Sequence, residues 1–267
     1  MKELIKELGI SEGQLRKIIL GKKIKPKILK SKMSDDTFTF GIVSDTHFCS
    51  IHEKIDELHT FYEICRKEGI KEVVHAGDLV SGWGIYRGQE NEVHTFGAKN
   101  QAQAVIDNYP RLKGITTYFC CGNHDLVWWD RSGIDIGELI ADKREDMVYV
   151  GQYQGEVEIN GVKIRLLHGI GGRGGIYALS YKGQKVAEQI PSGQKPHILV
   201  LGHWHTCLYF FYRNIHIINA GTFEDQNILL LRMGINPTIG GWTVKVRVGK
   251  DKKHSILSIT PTFIPFL

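Results

Sequence analysis

Five short polar clusters in this sequence contain side chains that can bind metal ions or transfer protons, and each follows an apolar run. Asp and His are costly to place beside buried strands unless they are paired or coordinate a metal. Strand ends are also where α/β sheets place their ligands. A shared metal site therefore explains all five placements at once. In chain order the clusters are Asp45-Thr46-His47, Gly77-Asp78, Gly122-Asn123-His124-Asp125, His168-Gly169 and Gly202-His203-Trp204-His205.

The mixture of oxygen and nitrogen donors indicates the chemistry of such a site. Imidazole and carboxylate together suit Mn, Fe, Zn or Ni, whereas Mg and Ca prefer oxygen ligands alone. Two divalent cations roughly 3.5–4 Å apart also need one group that contacts both, which a carboxylate can provide. Such a pair of ions attracts phosphate and lowers the pKa of a water held between them.

Short β-type runs must position these clusters. Asn160-Gly161, between two further apolar runs, predicts a tight hairpin. Helix-like segments alternate with the runs in the first half, as in an α/β protein, and lie at residues 53–68, 97–108 and 181–189. The runs that end at a polar cluster are residues 39–44, 72–76, 115–121, 162–167 and 197–201. After His205 the pattern predicts consecutive strands at residues 207–213, 215–219, 227–233, 242–248 and 254–260.

The start of the chain differs in charge from the rest. Residues 1–34 contain ten Lys or Arg against three Glu, a net +7, so the remaining residues sum to −2 within the whole-chain value of +5. Helices predicted at residues 2–8 and 12–20, followed by a Lys-rich linker at 21–32, resemble a helix-turn-helix. We expect a basic helical arm that can bind nucleic acid, followed by a main domain at residues 35–267. A solvated arm, or a helix pair packed on a neighbouring subunit, is the alternative.

Composition excludes several other classes of protein. No run reaches the ~20 consecutive apolar residues that a membrane-spanning helix needs, and the charged start lacks the apolar run of a signal peptide. The five cysteines are odd in number and include no Cys-x-x-Cys pair, which argues against a disulfide framework or a zinc knuckle. We therefore expect a cytoplasmic protein without membrane contact.

The order of the five clusters resembles the signature motifs of the calcineurin-like metallophosphoesterase superfamily. Asp-x-His, Gly-Asp, Gly-Asn-His-Asp, a lone His and Gly-His-x-His follow one another from Asp45 to His205, across most of the main domain. The resemblance implies an α/β fold in which two central mixed β-sheets pack as a sandwich flanked by helices, in four αββα layers. The small helical arm would precede this sandwich.

The resemblance also implies a binuclear metal centre. Manganese is the expected metal, with iron, zinc or nickel as alternatives. The carboxylate of Asp78 would bridge the two ions. The first ion would be bound by Asp45, His47 and His205, and the second by Asn123, His168 and His203.

Further residues would act on the substrate. The resemblance places His124 beside the phosphate as a general acid or electrostatic stabiliser, with Asp125 orienting its imidazole. In the glycine-rich stretch after His168, Arg173 could clamp a phosphate, because a guanidinium group matches phosphate geometry. A loop without a ligand role is the alternative for that stretch.

The predicted function is hydrolysis of phosphate esters by a metal-bound hydroxide. The basic arm favours a phosphodiesterase or nuclease that acts on nucleic acid or nucleotides. A phosphomonoesterase or phosphoprotein phosphatase stays open as an alternative. Double-strand exonucleases of this superfamily usually carry a His where this sequence has Ser81, which weakens the assignment to that subfamily. A rival from another class is a DNA-binding regulator with a passive phosphoesterase-like body. The intact ligand set argues against that rival.

Overall fold

Two six-stranded β-sheets form the centre of the fold. The computed structural model describes residues 28–31, 37–169, 171, 178–249 and 256–266. The strands are β1 (Ile28–Ser31), β2 (Thr37–Val43), β3 (Glu72–His75), β4 (Thr116–Cys121), β5 (Met147–Gln152), β6 (Gln154–Ile159), β7 (Val162–His168), β8 (Ile198–Gly202), β9 (Cys207–Tyr212), β10 (Ile215–Ala220), β11 (Gly240–Val248) and β12 (Ile256–Pro265). The first sheet has the order β12-β11-β2-β3-β4-β5 and the second the order β1-β6-β7-β8-β10-β9.

Both sheets are mixed. In the first sheet β2, β3, β4 and β5 are parallel neighbours, and β11 is antiparallel to β2. In the second sheet β7, β8 and β10 are parallel, and β9 is antiparallel to β10. The carboxyl ends of neighbouring parallel strands lie at one edge of a sheet, so each sheet gathers the residues that follow its parallel strands.

Helices cover the outer faces of both sheets. The first four pack on the first sheet and the fifth on the second, so the predicted αββα layers are confirmed. In the part of the chain that the structure describes, no helix is long and apolar enough to cross a membrane. The helices are α1 (Ile55–Lys67), α2 (Ala98–Asn108), α3 (Asn123–Ser132), α4 (Ile136–Ala141), α5 (Tyr181–Gln189) and α6 (Ile228–Arg232).

The core between the sheets follows from the period of two in the strands. In β7 the side chains of Val162, Ile164 and Leu166 are fully buried, whereas those of Lys163 and Arg165 between them are more exposed. Alternate side chains of a strand point to opposite faces, so one face of β7 enters the sandwich. Val162, Ile164 and Leu166 belong to a cluster of buried side chains contributed by both sheets.

Most of the predicted elements are present. The five runs that precede polar clusters correspond to β2, β3, β4, β7 and β8, and the three predicted helices correspond to α1, α2 and α5. Asn160 and Gly161 have φ angles of 48° and 76° and join β6 to β7, so the predicted tight hairpin is confirmed.

The strand predicted at residues 227–233 is wrong, because this segment contains the short helix α6. The side chain of Asn227 accepts a hydrogen bond from the backbone N–H of Leu230 at 2.9 Å, which caps the first turn. Short apolar runs fit a buried strand and a buried helix equally well. The local sequence therefore does not distinguish the two.

The predicted linker contains a strand. Residues 28–31 form β1, which pairs in parallel with β6 at the edge of the second sheet. The helices predicted at residues 2–8 and 12–20 lie outside the described residues, so the basic arm stays a prediction.

A buried arginine ties the end of α2 to the segment before β5. The guanidinium group of Arg144 donates to the backbone carbonyls of Ile106, Tyr109 and Pro110 at 3.0–3.1 Å. It also forms two hydrogen bonds with the carboxylate of Asp146, at 2.6 and 2.7 Å. Only 2% of the Arg144 side chain is exposed. Its charge is therefore satisfied entirely inside the protein.

Replacing this arginine tests how much of the stability depends on it. Arg144→Met should lower the free energy of unfolding by roughly 3–5 kcal/mol, because it leaves the Asp146 carboxylate and three carbonyls without their donor. Arg111 provides a control, since its side chain is 65% exposed and lies 3.8 Å from Asp146. Arg111→Met should cost at most about 1 kcal/mol. Equal losses for the two variants in urea unfolding would contradict a dominant role for Arg144.

Candidate metal centre

The five polar clusters meet where the two sheets come together. Asp45, Asp78 and Asn123 follow β2, β3 and β4 of the first sheet, whereas His168 and His203 lie at the ends of β7 and β8 of the second. Hydrogen bonds join the two sheets at this edge. The imidazole of His168 donates through Nδ1 to the Ala76 carbonyl at 2.8 Å. The backbone N–H of His203 donates to the Asp45 carboxylate at 3.0 Å.

Several of the predicted ligands have an unusual backbone conformation. A left-handed φ costs a residue other than glycine about 1–3 kcal/mol and persists where the surrounding structure enforces it, often at functional sites. Backbone hydrogen bonds enforce it here, including His47 N–H to the Asp78 carbonyl at 3.1 Å. The residues are Asp45, His47, Asp78, His203 and His205, with φ angles of 52°, 43°, 55°, 87° and 49°.

One half of the centre contains Asp45, His47 and His205. The Nε2 atoms of His47 and His205 are 3.1 Å apart. His205 Nε2 lies 3.3 Å from Asp45 Oδ1, and His47 Nε2 lies 3.9 Å from the same oxygen. One atom from each side chain lies within 4.8 Å of the other two, so the three can bind one ion.

The other half contains Asp78, His168 and His203, which also offer donor atoms within 4.8 Å of one another. His168 Nε2 lies 3.0 Å from Asp78 Oδ2. Because His168 Nδ1 donates to a carbonyl, Nε2 is the atom left to bind an ion. Asn123 Oδ1 is buried without a hydrogen-bond donor, as expected of an oxygen reserved for a metal.

Asp78 lies between the two halves. Its Oδ2 is 3.0 Å from His168 Nε2 and 3.9 Å from His47 Nε2. Its Oδ1 accepts the backbone N–H of His124 at 2.8 Å, in the first turn of α3. This carboxylate is therefore the group that can contact ions in both halves.

The donor set fits two divalent cations. Buried polar atoms are normally hydrogen-bonded, so buried donors without partners indicate a missing ligand. The donors combine carboxylate, amide and imidazole, which suits transition metals rather than Mg or Ca. Within the described residues, the buried atoms without a hydrogen-bond partner include Asn123 Oδ1 and His168 Nε2, which are the atoms of these two side chains that can bind an ion.

The electrostatics of the cluster keep its carboxylates charged. Burial alone would raise the pKa of Asp78, but the charge of His168 outweighs it and holds that pKa well below its usual value. Burial would also raise the pKa of Asp45, but the contact with His205 outweighs it and lowers that pKa. Burial lowers the pKa of His203 to about 4, whereas Asp78 overcomes burial and raises that of His168 to about 9. A cation bound here would displace that proton, because ligand imidazoles are neutral.

His124 lies beside the two halves. Its Nδ1 donates to the Ser81 carbonyl at 2.6 Å, so Nε2 faces the cluster, 3.9 Å from Asp78 Oδ2. The rings of His124 and His47 are in edge contact, with centroids 4.5 Å apart. This fixed orientation allows Nε2 to exchange a proton with a bound substrate.

The expectation that Asp125 orients this imidazole is wrong. The Asp125 carboxylate instead accepts the backbone N–H groups of Gly122, Val80 and Leu79 at 2.8, 2.9 and 3.2 Å. As the third residue of α3, it reaches back to the residue before the helix, a capping-box geometry. Asp125 therefore fixes the loop after Asp78, and the Ser81 carbonyl orients His124.

Glycines in the motifs allow the ligands to approach one another. A Cβ atom at Gly122 would lie 2.7 Å from the Asp78 backbone nitrogen and would also collide with its carboxylate. A Cβ atom at Gly77 would lie 2.5 Å from His168 Nδ1. Contacts of this length do not occur in folded proteins, so these positions require glycine while the ligands keep their places.

Sequence reasoning missed Glu224, which is 3% exposed and faces the first half of the centre. Its Oε2 lies 3.8 Å from His47 Nε2 and 4.0 Å from His205 Nδ1. The available signal was its position after a strand, because Gly221-Thr222-Phe223-Glu224 follows β10. Arg173, the predicted phosphate clamp, lies outside the described residues.

A cavity of about 260 Å³ opens beside the predicted metal ligands. One side is polar and carries the cluster together with His124. The remaining lining residues are largely apolar and come from α6 and the residues around it. The residues that line the apolar side include Tyr86, Leu229, Leu230, Met233 and Ile235.

The α/β sandwich and the cluster of Asp, Asn and His side chains at its edge are the combination that the five sequence motifs predicted. A family model described as the calcineurin-like phosphoesterase superfamily domain matches residues 38–231. The chain belongs to this superfamily, and the resemblance of its motifs to those of the superfamily is confirmed.

Curated relatives carry a more particular description. The chain is 29% identical over 252 residues to a DNA polymerase II small subunit of Archaeoglobus fulgidus, covering 78% of this chain and 51% of that protein. It is 26% identical over 282 residues to the DNA polymerase II small subunit of Methanocaldococcus jannaschii, covering 88% of this chain and 47% of that protein. The chain thus spans about half the length of these relatives.

Two solved structures with similar folds are described as different proteins. A novel archaeal phosphodiesterase is 21% identical, with a TM-score of 0.47 over 85% of this chain and 100% of that one. A Vps29 mutant from Entamoeba histolytica is 13% identical, with a TM-score of 0.42 over 86% of this chain and 100% of that one. Neither similarity bears on what this chain binds or hydrolyses.

The glycine contacts predict a selective loss of metal binding. Gly122→Ala should displace the Asp78 carboxylate and reduce the metal content of the purified protein, as measured by elemental mass spectrometry after gel filtration. Gly193→Ala is the matched control, because a Cβ atom there meets no atom within 4 Å. Full metal content in Gly122→Ala would show that Asp78 is not held as described.

Proposed function

We propose that this protein is a binuclear metal-dependent phosphoesterase and that nucleic acid or nucleotides are its substrates. The observation that carries the proposal is the convergence of the motif side chains on Asp78, with His124 Nε2 facing the same cavity. The ligands of the first ion would be Asp45, His47 and His205, those of the second Asn123, His168 and His203, and Asp78 would belong to both.

The metal ions would supply the part of the chemistry that the side chains lack. Two divalent cations of the Mn type, bound there, would polarise the phosphate oxygens and lower the pKa of a water so that it can attack phosphorus. Five of these seven residues, all except Asn123 and His168, hold the left-handed backbone described above, so their positions would be set before the substrate arrives. Such preorganisation is usually the largest part of electrostatic catalysis.

His124 would complete the reaction by moving a proton. Its Nδ1–H is committed to the Ser81 carbonyl, so a proton for the leaving oxygen must come from Nε2. General acid catalysis of this kind typically contributes about 10²–10⁴-fold to the rate. Asp125 acts indirectly, because it fixes the loop that carries Ser81.

Three observations support a nucleic-acid substrate. The relatives of the chain are described as DNA polymerase II small subunits, a name that indicates a role in DNA synthesis. Residues 1–34 carry a net +7, a charge that attracts polyanions. The apolar side of the cavity also offers Tyr86, Leu229 and Met233, against which a base or sugar can pack while the phosphate faces the ions.

The names of the relatives also favour a second candidate, a subunit of a DNA-processing assembly in which this domain binds other chains without hydrolysing an ester. The two candidates differ in whether the isolated protein has activity. An assembly subunit has no need of a proton-exchanging imidazole directed at buried ligands, which favours the enzyme.

Hydrolysis of bis-p-nitrophenyl phosphate beside p-nitrophenyl phosphate tests the proposal. Metal-stripped protein titrated with Mn, Ni, Zn or Mg should prefer the diester and respond best to Mn. Removal of residues 1–27, which keeps β1 intact, should leave this activity unchanged and weaken binding to DNA. Faster hydrolysis of the monoester would contradict the proposed diester substrate. No hydrolysis with any of the metals would favour the assembly subunit.

Substitutions at His124 and Asp78 should separate proton transfer from metal binding. His124→Ala should keep its metal and slow turnover by about 10²–10⁴-fold, most for poor leaving groups. Asp78→Ala should lose metal. His59→Ala, at an exposed imidazole on α1, is the control and should change neither quantity. Equal metal loss in the His124 and Asp78 variants would contradict the assigned roles.

A further inference from the structure

Glu224 is a buried carboxylate that the motifs do not include. Its side chain is 3% exposed. The hydroxyl of Ser50 donates to Oε1 at 2.8 Å, and the amide of Asn227 donates to Oε2 at 3.0 Å. These two donors fix the carboxylate in one orientation. They do not neutralise its charge.

The only ion-pair partners of Glu224 among the described residues are imidazoles of the metal centre. Its Oε2 lies 3.8 Å from His47 Nε2 and 4.0 Å from His205 Nδ1. A buried charge is costly unless it is paired, and a cation held by these histidines would pair with it.

The histidines of the centre differ in how their second ring nitrogen is held. His168 Nδ1 donates to the Ala76 carbonyl at 2.8 Å, and His203 Nε2 lies 3.1 Å from the Gly171 carbonyl. His205 Nδ1 is buried without a hydrogen bond, and the acceptor described near it is Glu224 Oε2 at 4.0 Å. Histidine ligands almost always donate their second N–H to a carboxylate or carbonyl. Glu224 is therefore placed to be that acceptor for His205.

A purely structural role for Glu224 is the alternative. Through Ser50 and Asn227 it connects the segment after β2 to the start of α6. Those two donors, however, would be satisfied by a neutral acceptor. They give no reason for a carboxylate directed at two metal ligands.

We propose that Glu224 is a positioning residue for the first ion, the one assigned to Asp45, His47 and His205. Its carboxylate accepts the Nδ1–H of His205 once an ion draws that ring into place, and it adds a third negative charge to this half of the centre. The inference rests on the proposed binuclear site and extends it by one residue. It requires no direct bond between Glu224 and the metal.

Metal affinity measured on the full-length, metal-stripped protein tests this role. Titration with Mn²⁺ by calorimetry should resolve two ions in the unsubstituted chain. Glu224→Ala should weaken one of them by about 10–100-fold and leave the other unchanged, as removal of such hydrogen-bond partners does. Glu224→Gln should lose less, because its carbonyl oxygen can still accept the His205 N–H. His205→Ala should lose the same ion, and Asn123→Ala the other one.

A neighbouring carboxylate supplies the matched control. Glu92 accepts the backbone N–H of Ile228 at the start of α6, at 2.8 Å, but makes no contact with His47 or His205. Glu92→Gln should leave both affinities unchanged. Thermal unfolding of each variant without metal measures any structural loss separately.

The outcomes separate this inference from the proposed function. Two ions bound with unchanged affinity in Glu224→Ala would overturn the role of Glu224 and leave the binuclear site standing. Equal weakening of both ions, in step with lost thermal stability, would assign Glu224 to structure alone and also overturn it. An unsubstituted chain that binds fewer than two ions would overturn the binuclear site, and this inference with it.

Discussion

The arrangement of the centre depends on one buried carboxylate, that of Asp78. It lies at the junction of the two sheets, and its two oxygens face different partners: the backbone N–H of His124 on one side, and the imidazoles of His168 and His47 on the other. A charge at 1% exposure is tolerated only where its surroundings are organised around it. The close approach of Gly122, the cap formed by Asp125 and the position of His168 are all parts of that organisation.

The cost of this organisation is visible in the backbone. Asp45, His47, Asp78, His203 and His205 all adopt left-handed φ angles, which side chains other than glycine rarely do. The sandwich offsets this strain, because the ligands are joined to the ends of buried strands and their backbone groups are paired across the loops. The buried core between the sheets thus supplies the rigidity that a preorganised site needs.

The cavity beside the ligands is divided into two chemically different sides. Charge and imidazole lie on one side, and the apolar residues of α6 and its surroundings lie on the other. Glu224 belongs to this division, because it connects the start of α6, through Asn227, to His47 and His205 of the cluster.

The sequence by itself determined the family, the layers and the residues that can bind metal. Glycine, Asp and His recur at the ends of successive β-runs, where polar side chains are costly unless they are paired or coordinate an ion. The Asn160-Gly161 turn depends only on local backbone preference, so the sequence predicted it as well. The strand predicted at 227–233 was wrong, because a short apolar run is compatible with either element.

Tertiary structure alone decided the partners of the site residues. Asp125 stands next to His124 in the chain but points to the loop after β3, whereas the acceptor for His124 is Ser81, distant in sequence. Glu224 reaches the centre only because β10 ends at the same edge as β8, to which it is parallel. Motifs specify which residue types are present along the chain, but a hydrogen-bond partner depends on where separate strands end in space.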